Sequence, residues 1–250
     1  MGRIKMLAGL CCLLVLLPRA VCRAQERHTA KPEERAILHQ VGNLCASEDY
    51  SAAAALAESA LKDQISTPWV RAALLRWLGR AYCQQGNLAN AIDALVLAST
   101  EVRDARHIGT HQDHLIRVAW RDPGLKRLAV TELETIRTQA PEPDRRAMAA
   151  GALGIMHLHD REYPDTKARL REALEGAPEP AAALFVSYLM SYFWYREKDP
   201  ELLKFALEQA FSRPKAPQMQ WAVYWIVQAL CDASQWIAAA QATLRMAEVY

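Results

Sequence analysis

The sequence predicts an all-α fold built from about six helical hairpins, and three observations support this fold class. Apolar residues recur three and four positions apart, which is the spacing of one face of a helix. Polar or glycine-containing turns interrupt these segments at intervals of about 37 residues. Small and large apolar residues then return at fixed distances from each turn. Repetition at this length is typical of stacked helical units.

One residue in each turn serves as an anchor for aligning the units. The anchors are Glu48, Gly86, Gly124, Arg161, Lys198 and Ser234, separated by 38, 38, 37, 37 and 36 residues. Each anchor is expected to lie between the two helices of its hairpin. Five residues after the anchor stand Ala53, Ala91, Ala129, Thr166, Leu203 and Ala239. Positions nine and twelve after the anchor, and eight before it, are mostly apolar, so these positions are expected to form the shared core.

The unit from residue 71 to residue 105 shows the pattern most clearly. Its signature residues are Leu78-Gly79, Tyr82, Gly86, Ala91, Leu95 and Ala98. This pattern resembles the tetratricopeptide repeat. A second unit carries Leu153-Gly154, Tyr163, Leu170, Ala173 and Pro178, and a third is centred on the turn before Tyr50. The other three units depart from the family pattern, for example with Arg117 where the family has a small residue.

The resemblance implies a right-handed α-solenoid of about six hairpins. It would span residues 34–250, after a signal peptide at residues 1–24 and a polar lead segment at residues 25–33. An irregular helical bundle is the alternative fold. In the resembled family, the first helix of each unit lines a concave groove, at positions thirteen, ten, six, three and two before the anchor. A partner polypeptide binds in that groove.

These positions define the candidate partner-binding residues. The polar and aromatic ones are Arg76, Arg80, His114, Arg121, Tyr188, Tyr192, Tyr195, Arg196, Trp221, Tyr224 and Gln228. The fourth unit supplies apolar lining at Met148, Gly151, Ile155 and Leu158, and the fifth begins with Phe185. Tyr, Trp and Arg often dominate the energetics of protein recognition. The alternative for any of the aromatic residues is ordinary packing between helices.

The first 24 residues have the order of a secretory signal peptide. Arg3 and Lys5 precede an apolar run over residues 6–17, which ends at Pro18. Cleavage is expected near Ala24, with cleavage after Cys22 as the alternative. The run is shorter than the roughly 20 apolar residues of a membrane span. An uncleaved anchor and a lipoprotein remain less favoured alternatives, and the sequence predicts a periplasmic or secreted protein.

Removal of this segment changes the charge and the cysteine count. Four of the 30 basic residues leave, so 26 remain against 28 acidic ones, a net charge of −2. This balance gives no electrostatic reason to expect nucleic-acid binding. Cys45, Cys83 and Cys231 remain, and an odd number cannot all pair within one chain. A bond between Cys45 and Cys83 would require distortion, so free thiols are expected.

Signals for catalysis and cofactors are weak. The sequence has no glycine-rich phosphate loop, no Gly-x-Ser-x-Gly and no His-Glu-x-x-His. Two groups contain closely spaced potential ligands: His107, His111 and His114, and His157, His159 and Asp160. A break at Gly109 and the opposite directions of His157 and His159 argue against metal binding. The sequence therefore predicts a non-enzymatic protein without a cofactor or metal site.

Two classes of function fit these features. The first is an exported scaffold that binds a protein or peptide in its groove, in the envelope of a Gram-negative bacterium. The second is a sensory ectodomain of a larger signalling protein, and a small-ligand-binding helical module is a third option. The segment 235–250 ends on apolar residues such as Ile237 and Leu244 without a polar cap. It is expected to be covered by another protomer, by another chain or by further sequence beyond Tyr250.

Overall fold

The computed structural model describes residues 30–101, 105–177, 181–182, 185–186, 200–213, 219–232 and 234–249. Eleven α-helices with defined bounds lie in these ranges, which contain no strand. The predicted all-α class is therefore confirmed. The predicted signal peptide and most of the polar lead segment lie outside the described residues. In the described ranges, no helix is both long enough and apolar enough to cross a lipid bilayer.

The described helices follow one another closely along the chain from α1 to α8, and α9, α10 and α11 lie farther along it. Their bounds are α1 Pro32–Ala46, α2 Tyr50–Asp63, α3 Pro68–Gln84, α4 Leu88–Glu101, α5 Ala105–Ala119, α6 Pro123–Gln139, α7 Pro143–Asp160, α8 Tyr163–Gly176, α9 Pro200–Ser212, α10 Met219–Asp232 and α11 Trp236–Val249. The helices α1, α3, α6 and α7 begin with proline, which lacks the amide hydrogen that the first turn leaves unpaired. Asp49 caps α2 by accepting a 3.1 Å hydrogen bond from the amide of Ala52.

The helices from α1 to α8 contact one another in a regular order. Each consecutive pair of these helices is in contact. The first helices of the hairpins also meet, because α1 contacts α3, α3 contacts α5 and α5 contacts α7. Farther along the chain, α9, α10 and α11 contact one another. Each hairpin therefore packs through its first helix against the first helix of the next one, at least as far as α7.

The predicted core positions are buried. The position five residues after the anchor has at most 4 % exposure in the five units where it is described: Ala53, Ala91, Ala129, Thr166 and Ala239. Eight residues before the anchor, Leu78, Ile116, Leu153 and Ile226 are also buried, whereas Gln40 in the first unit is exposed. The sequence periodicity thus predicts which residues form the interior, except in α1, where the residue eight positions before the anchor is the exposed Gln40.

The repeated Leu-Gly pair marks the closest approach between the two helices of a hairpin. A Cβ atom on Gly79 would lie 2.7 Å from Cγ of Leu95, nine residues after the anchor. In the unit 75 residues farther on, a Cβ atom on Gly154 would lie 2.9 Å from Cγ of Leu170. Both distances are too short for a side chain at this position. Glycine is therefore needed at both positions for close packing rather than for backbone flexibility.

Four of the predicted anchors adopt the same unusual backbone conformation. Glu48, Gly86, Arg161 and Ser234 have positive φ values of 62°, 78°, 63° and 59°. At each turn, the residue after the anchor donates a 2.9 Å amide hydrogen bond to a carbonyl in the last turn of the preceding helix. This arrangement is the Schellman motif, in which a left-handed residue ends a helix. The anchors therefore mark a recurring structural element, although their residue types differ.

The anchor Gly124 was placed incorrectly by the sequence alignment. It lies in the first turn of α6 and not between two helices, because the turn falls at residues 120–122. Asp122 ends the turn by accepting a 2.6 Å hydrogen bond from the amide of Gly124, and Pro123 follows as the first helical residue. This strong start signal extends α6 toward its N-terminus and shortens α5. Ala129 and Leu133 are nevertheless buried, as their distances of five and nine residues from Gly124 predict.

The left-handed turns predict stability changes of opposite sign. Arg161→Gly should stabilise the fold by about 0.5–1 kcal/mol, because glycine relieves the left-handed strain but increases the entropy of the unfolded chain. Gly86→Ala should destabilise it by about 1 kcal/mol through backbone strain alone, because a Cβ atom there has no neighbour within 4 Å. Urea unfolding of the two variants measures both changes. Equal signs would contradict the shared conformation of the two turns.

Candidate partner-binding site

Arg76 and Arg80 lie one turn apart on α3 and share a face of that helix. The guanidinium carbon of Arg76 lies 5.1 Å from the centroid of the Trp77 ring, and that of Arg80 lies 5.4 Å from it. The indole therefore holds two cations through its π-electrons. Trp77 is packed against α1, since an added Cβ on Gly42 would lie 3.8 Å from the ring. We name Arg76, Trp77 and Arg80 the arginine–tryptophan cluster.

Among the described residues, the two guanidinium groups of this cluster have no anionic partner. Within the described part of the chain, neither Arg76 nor Arg80 forms an ion pair with a carboxylate within 4.0 Å. Arg76 is half-buried, and Arg80 is exposed. Burial, followed by repulsion from Arg80, lowers the pKa of Arg76. Like charges four residues apart also destabilise a helix. The cluster therefore lowers the stability of the folded chain unless an anion binds to it.

Three other half-buried arginines have carboxylate partners: Arg71, Arg137 and Arg169. Nε of Arg71 lies 2.9 Å from Oε2 of Glu101. Four residues of α6 and α8 form a closed ring of alternating charge, with nitrogen-to-oxygen distances of 2.6–3.0 Å: Glu134, Arg137, Glu172 and Arg169. Hydrogen bonds from Arg137 and Arg169 outweigh the effect of burial and lower the pKa of Glu172. These three arginines thus have carboxylate partners within 3.0 Å, whereas Arg76 and Arg80 have none within 4.0 Å among the described residues.

A free thiol lies near the same cluster. Cys45 on α1 is buried, and burial raises its pKa while the positive charge of Arg80 opposes that rise. Cys45 and Cys83 do not form a disulfide. This agrees with the expected free thiols. The electrostatic influence of Arg80 on Cys45 shows that the positive charge of the cluster extends over the contact between α1 and α3.

The structure describes two further candidates in the first half of the chain. His114 lies on α5, which contacts α3, and its Nδ1 donates a 2.8 Å hydrogen bond to the carbonyl of Thr110. Arg121 was expected on a helix but lies in the exposed turn between α5 and α6. Asp122 and Pro123 cause this difference, because they start α6 early. His114 therefore lies on α5, the first helix of the next hairpin, which contacts α3, whereas Arg121 lies outside the helices.

Most of the predicted binding residues beyond residue 186 cannot be compared with the structure. Four candidates lie outside the described residues: Tyr188, Tyr192, Tyr195 and Arg196. Trp221 belongs to α10, but its side chain is not described. Tyr224 is half-buried, with its ring centroid 5.6 Å from that of Trp225 in an edge-to-face arrangement. Gln228 is exposed and donates a 3.3 Å hydrogen bond to Asp232. These residues remain predicted binding residues.

The apolar lining predicted for the fourth unit is wrong. Met148, Gly151, Ile155 and Leu158 are buried, so they belong to the core and not to an open surface. The ring of Phe185, itself fully buried, occupies the space in front of Gly151. Glycine leaves room for this aromatic side chain, and the resulting contact closes the face. Sequence offsets identified the correct helix but could not show that its face is filled.

One group of described residues combines side chains that could bind a metal. His157, Glu162 and Asp165 have potential ligand atoms within 4.8 Å of one another. Nδ1 of His157 lies 2.7 Å from Oε2 of Glu162. Both carboxylates are exposed and lie at the start of α8, where acids stabilise the helix dipole. These local roles account for the group. His159 instead contacts Trp120, with ring centroids 5.9 Å apart.

Comparison with known proteins adds no family assignment, since no family model and no curated protein matches the chain. The site must therefore be judged from its own geometry. Sequence reasoning identified Arg76 and Arg80 but missed Trp77, which positions both of them. The spacing Arg-Trp-x-x-Arg on one helix was the signal that could have revealed it. The arginine–tryptophan cluster is the best-defined candidate binding site among the described residues.

Proposed function

We propose that this protein is an exported, tetratricopeptide-like scaffold that binds the acidic segment of a partner polypeptide. Its hairpins would form a right-handed solenoid, and the partner would bind along the first helices. The setting is the periplasm or the secreted fraction. The arginine–tryptophan cluster is the observation that carries the proposal, because it presents two cations that form no ion pair with any described carboxylate.

The chemistry of the cluster favours carboxylates. A guanidinium group can donate two parallel hydrogen bonds to one carboxylate, which makes such pairs stronger than neutral hydrogen bonds. Trp77 restricts the motion of both arginine side chains, so less conformational entropy is lost when a ligand binds. The distance of one helical turn between Arg76 and Arg80 suits two acidic residues on the same segment. A partner with several Asp or Glu residues would thus relieve the repulsion between the cations.

The recurring turns support the scaffold part of the proposal. The Schellman turns at Glu48, Gly86, Arg161 and Ser234 place hairpins in one register. The contacts from α1 through α3 and α5 to α7 align the first helices side by side. Such a row offers a continuous surface for an extended or helical peptide. His114 on α5 lies next along this row from Arg76 and would provide a neighbouring polar contact.

A peptide-display selection on the immobilised protein tests this function. We expect the selected sequences to be enriched in Asp and Glu, and their binding to weaken as the salt concentration rises. The double variant Arg76→Gln/Arg80→Gln should lower the affinity of a selected peptide at least about tenfold. Fluorescence anisotropy with a labelled peptide measures this loss. The variant should be at least as heat-stable as the parent, because it removes an unbalanced charge pair.

A second double variant controls for overall charge. Arg117→Gln/Arg127→Gln removes the same two positive charges at exposed positions of α5 and α6. It should leave peptide affinity nearly unchanged. Equal losses of peptide affinity in the two double variants would show that the protein attracts the peptide only through its overall charge. A selection without enrichment in Asp and Glu would refute the proposed partner class. Lower stability of the Arg76→Gln/Arg80→Gln variant would show that the cluster stabilises the fold.

A further inference from the structure

The outer face of α11 carries an exposed apolar stripe. Ile237, Leu244 and Trp236 are 78 %, 66 % and 55 % exposed, although they are large apolar side chains. Ala240 and Ala247 are exposed between them, and all five positions lie on one side of the helix. The opposite side, with Ala239 and Ala242, is buried against the fold. The stripe therefore lacks a cover among the described helices.

The hairpin register shows what kind of element covers such a face. Measured from their anchors, Ala240, Leu244 and Ala247 correspond to Ile92, Val96 and Ser99 of α4. Those three residues of α4 are at most 1 % exposed, and α4 contacts α5, the first helix of the next hairpin. The same face of α11 is thus suited to pack against a helix.

The size of the stripe is sufficient for a weak association between two chains. Its exposed fractions correspond to roughly 500 Å² of apolar surface, a size at which surface patches mark interaction sites. Pairing two such stripes would bury roughly 1,000 Å², near the lower limit for a specific interface. Arg245 and Glu248 contribute one charge of each sign at its edge, so two copies of α11 do not repel each other.

Among the described residues, the first helix of the chain, α1, exposes no matching apolar surface. The exposed residues of α1 are mostly polar and include Glu33, His39 and Asn43. A head-to-tail arrangement would bury apolar groups of α11 against these polar groups without compensation. A two-fold arrangement instead places each apolar stripe on an identical one, which is the commonest symmetry of homo-oligomers.

We propose that the protein forms a two-fold dimer through α11, with Ile237 and Leu244 at its centre. In this dimer, α11 of each chain takes the place that the next hairpin takes on α4. The proposal is independent of peptide binding by the arginine–tryptophan cluster, which lies on α3. It implies one binding site on each of two linked chains, which would strengthen the binding of a partner that carries two acidic segments.

Sedimentation equilibrium of the purified protein over a range of concentrations tests the dimer. The weight-average mass should rise from that of one chain toward twice that value. Leu244→Asp should weaken association at least about tenfold, because it places a charge in the paired apolar face. Ala240→Arg, a larger side chain at the same face, should have a similar effect. A parent protein that stays monomeric at every concentration would overturn the proposal.

Ala55→Asp provides the matched control, since Ala55 is exposed on α2 and far from α11 in the chain. It should leave the association unchanged. Circular dichroism of all three variants reports on helix content, and an unfolded Leu244→Asp would leave Ala240→Arg as the deciding variant. Dimers that persist in both α11 variants would show that another surface pairs. Growth beyond the dimer mass would contradict the two-fold arrangement.

Discussion

Replacing Glu34 with glutamine should cost up to about 3 kcal/mol of unfolding free energy at neutral pH. This carboxylate is only 1 % exposed, yet it accepts five hydrogen bonds. Oε1 receives the amide and hydroxyl of Ser66 at 2.7 and 3.1 Å and the amide of Thr67 at 3.2 Å. Oε2 receives the hydroxyl of Thr67 at 2.5 Å and the amide of Lys31 at 3.3 Å. Glu34 therefore joins α1 to Thr67, the residue that directly precedes α3, across 33 positions.

The expected loss follows from the charge on this carboxylate. Burial alone would raise the pKa of Glu34, but the hydrogen bonds from Thr67 and Ser66 outweigh it and lower the pKa to about 2. Hydrogen bonds to a charged group contribute about 1.5–3 kcal/mol each before desolvation is counted. The pKa difference of about 2.5 units from an ordinary glutamate sets a limit of about 3 kcal/mol. A glutamine cannot accept all five donors, because its amide nitrogen is itself a donor.

The pH dependence gives the same prediction a second readout. Because the pKa of Glu34 is lowered in the folded chain, its stabilisation is complete above about pH 4.5 and is lost as the pH falls toward about 2. The stability difference between parent and Glu34→Gln should therefore shrink over this window. Urea unfolding at several pH values measures it. A difference that is constant with pH would show that packing, and not the charge, explains the loss.

Glu33→Gln is the control for this experiment. Glu33 is the neighbouring acid in the first turn of α1, but it is exposed. Its loss removes only a favourable interaction with the helix dipole, about 0.3–1 kcal/mol. A loss of similar size in the two variants would contradict the specific role of Glu34. The comparison therefore separates the five hydrogen bonds from the general effect of acids near a helix N-terminus.

The periodic features of the fold could be predicted from the sequence, and the long-range polar contacts could not. The apolar spacing gave the helices, and the turns at Gly86 and Arg161 lie where the alignment put them. In contrast, the hydrogen bonds of Glu34 depend on a loop 32 residues away, and no local pattern identifies a buried acid in a helix start. Gly124 was misplaced because the Asp-Pro start signal before it was overlooked.

The candidate site could be predicted only in part from the sequence. Offsets from the anchor put Arg76 and Arg80 on one helix face. Only the three-dimensional structure shows that neither forms an ion pair with a described acidic residue. At Gly151, the offset was correct, but the residue faces a packed aromatic ring. Periodicity predicts the direction in which a side chain points along a helix. It does not predict what occupies the space in front of it.

Gly151→Ala should destabilise the protein by about 1–2 kcal/mol after the gain in helix propensity is subtracted. A Cβ atom at this position would overlap the ring of Phe185, at Cζ and at both Cε atoms. Phe185 is fully buried, so its ring cannot move into solvent to make room. Overpacking of a dense core commonly costs about 1–3 kcal/mol. This cost should exceed the gain of up to about 1 kcal/mol that alanine brings to a helix interior.

Gly42→Ala is the matched control for this variant. Gly42 lies within α1, and its added Cβ would lie 3.8 Å from the Trp77 ring, an ordinary van der Waals distance. The substitution should therefore leave stability unchanged or raise it by up to about 1 kcal/mol. Opposite signs for the same substitution in two helices would tie the loss at Gly151 to the Phe185 ring. Thermal or urea unfolding of both variants decides this.

A double variant tests the contact between the two side chains directly. Phe185→Leu alone should cost about 1–2 kcal/mol, because it leaves a cavity in the core. Combined with Gly151→Ala, the smaller leucine leaves room for the new methyl group, so the two losses should not add. A favourable coupling of about 1 kcal/mol or more is expected from residues in direct contact. Simple additivity, or a neutral Gly151→Ala, would mean that the face is open, as the sequence alone had suggested. The partner-binding surface would then extend past the arginine–tryptophan cluster onto α7.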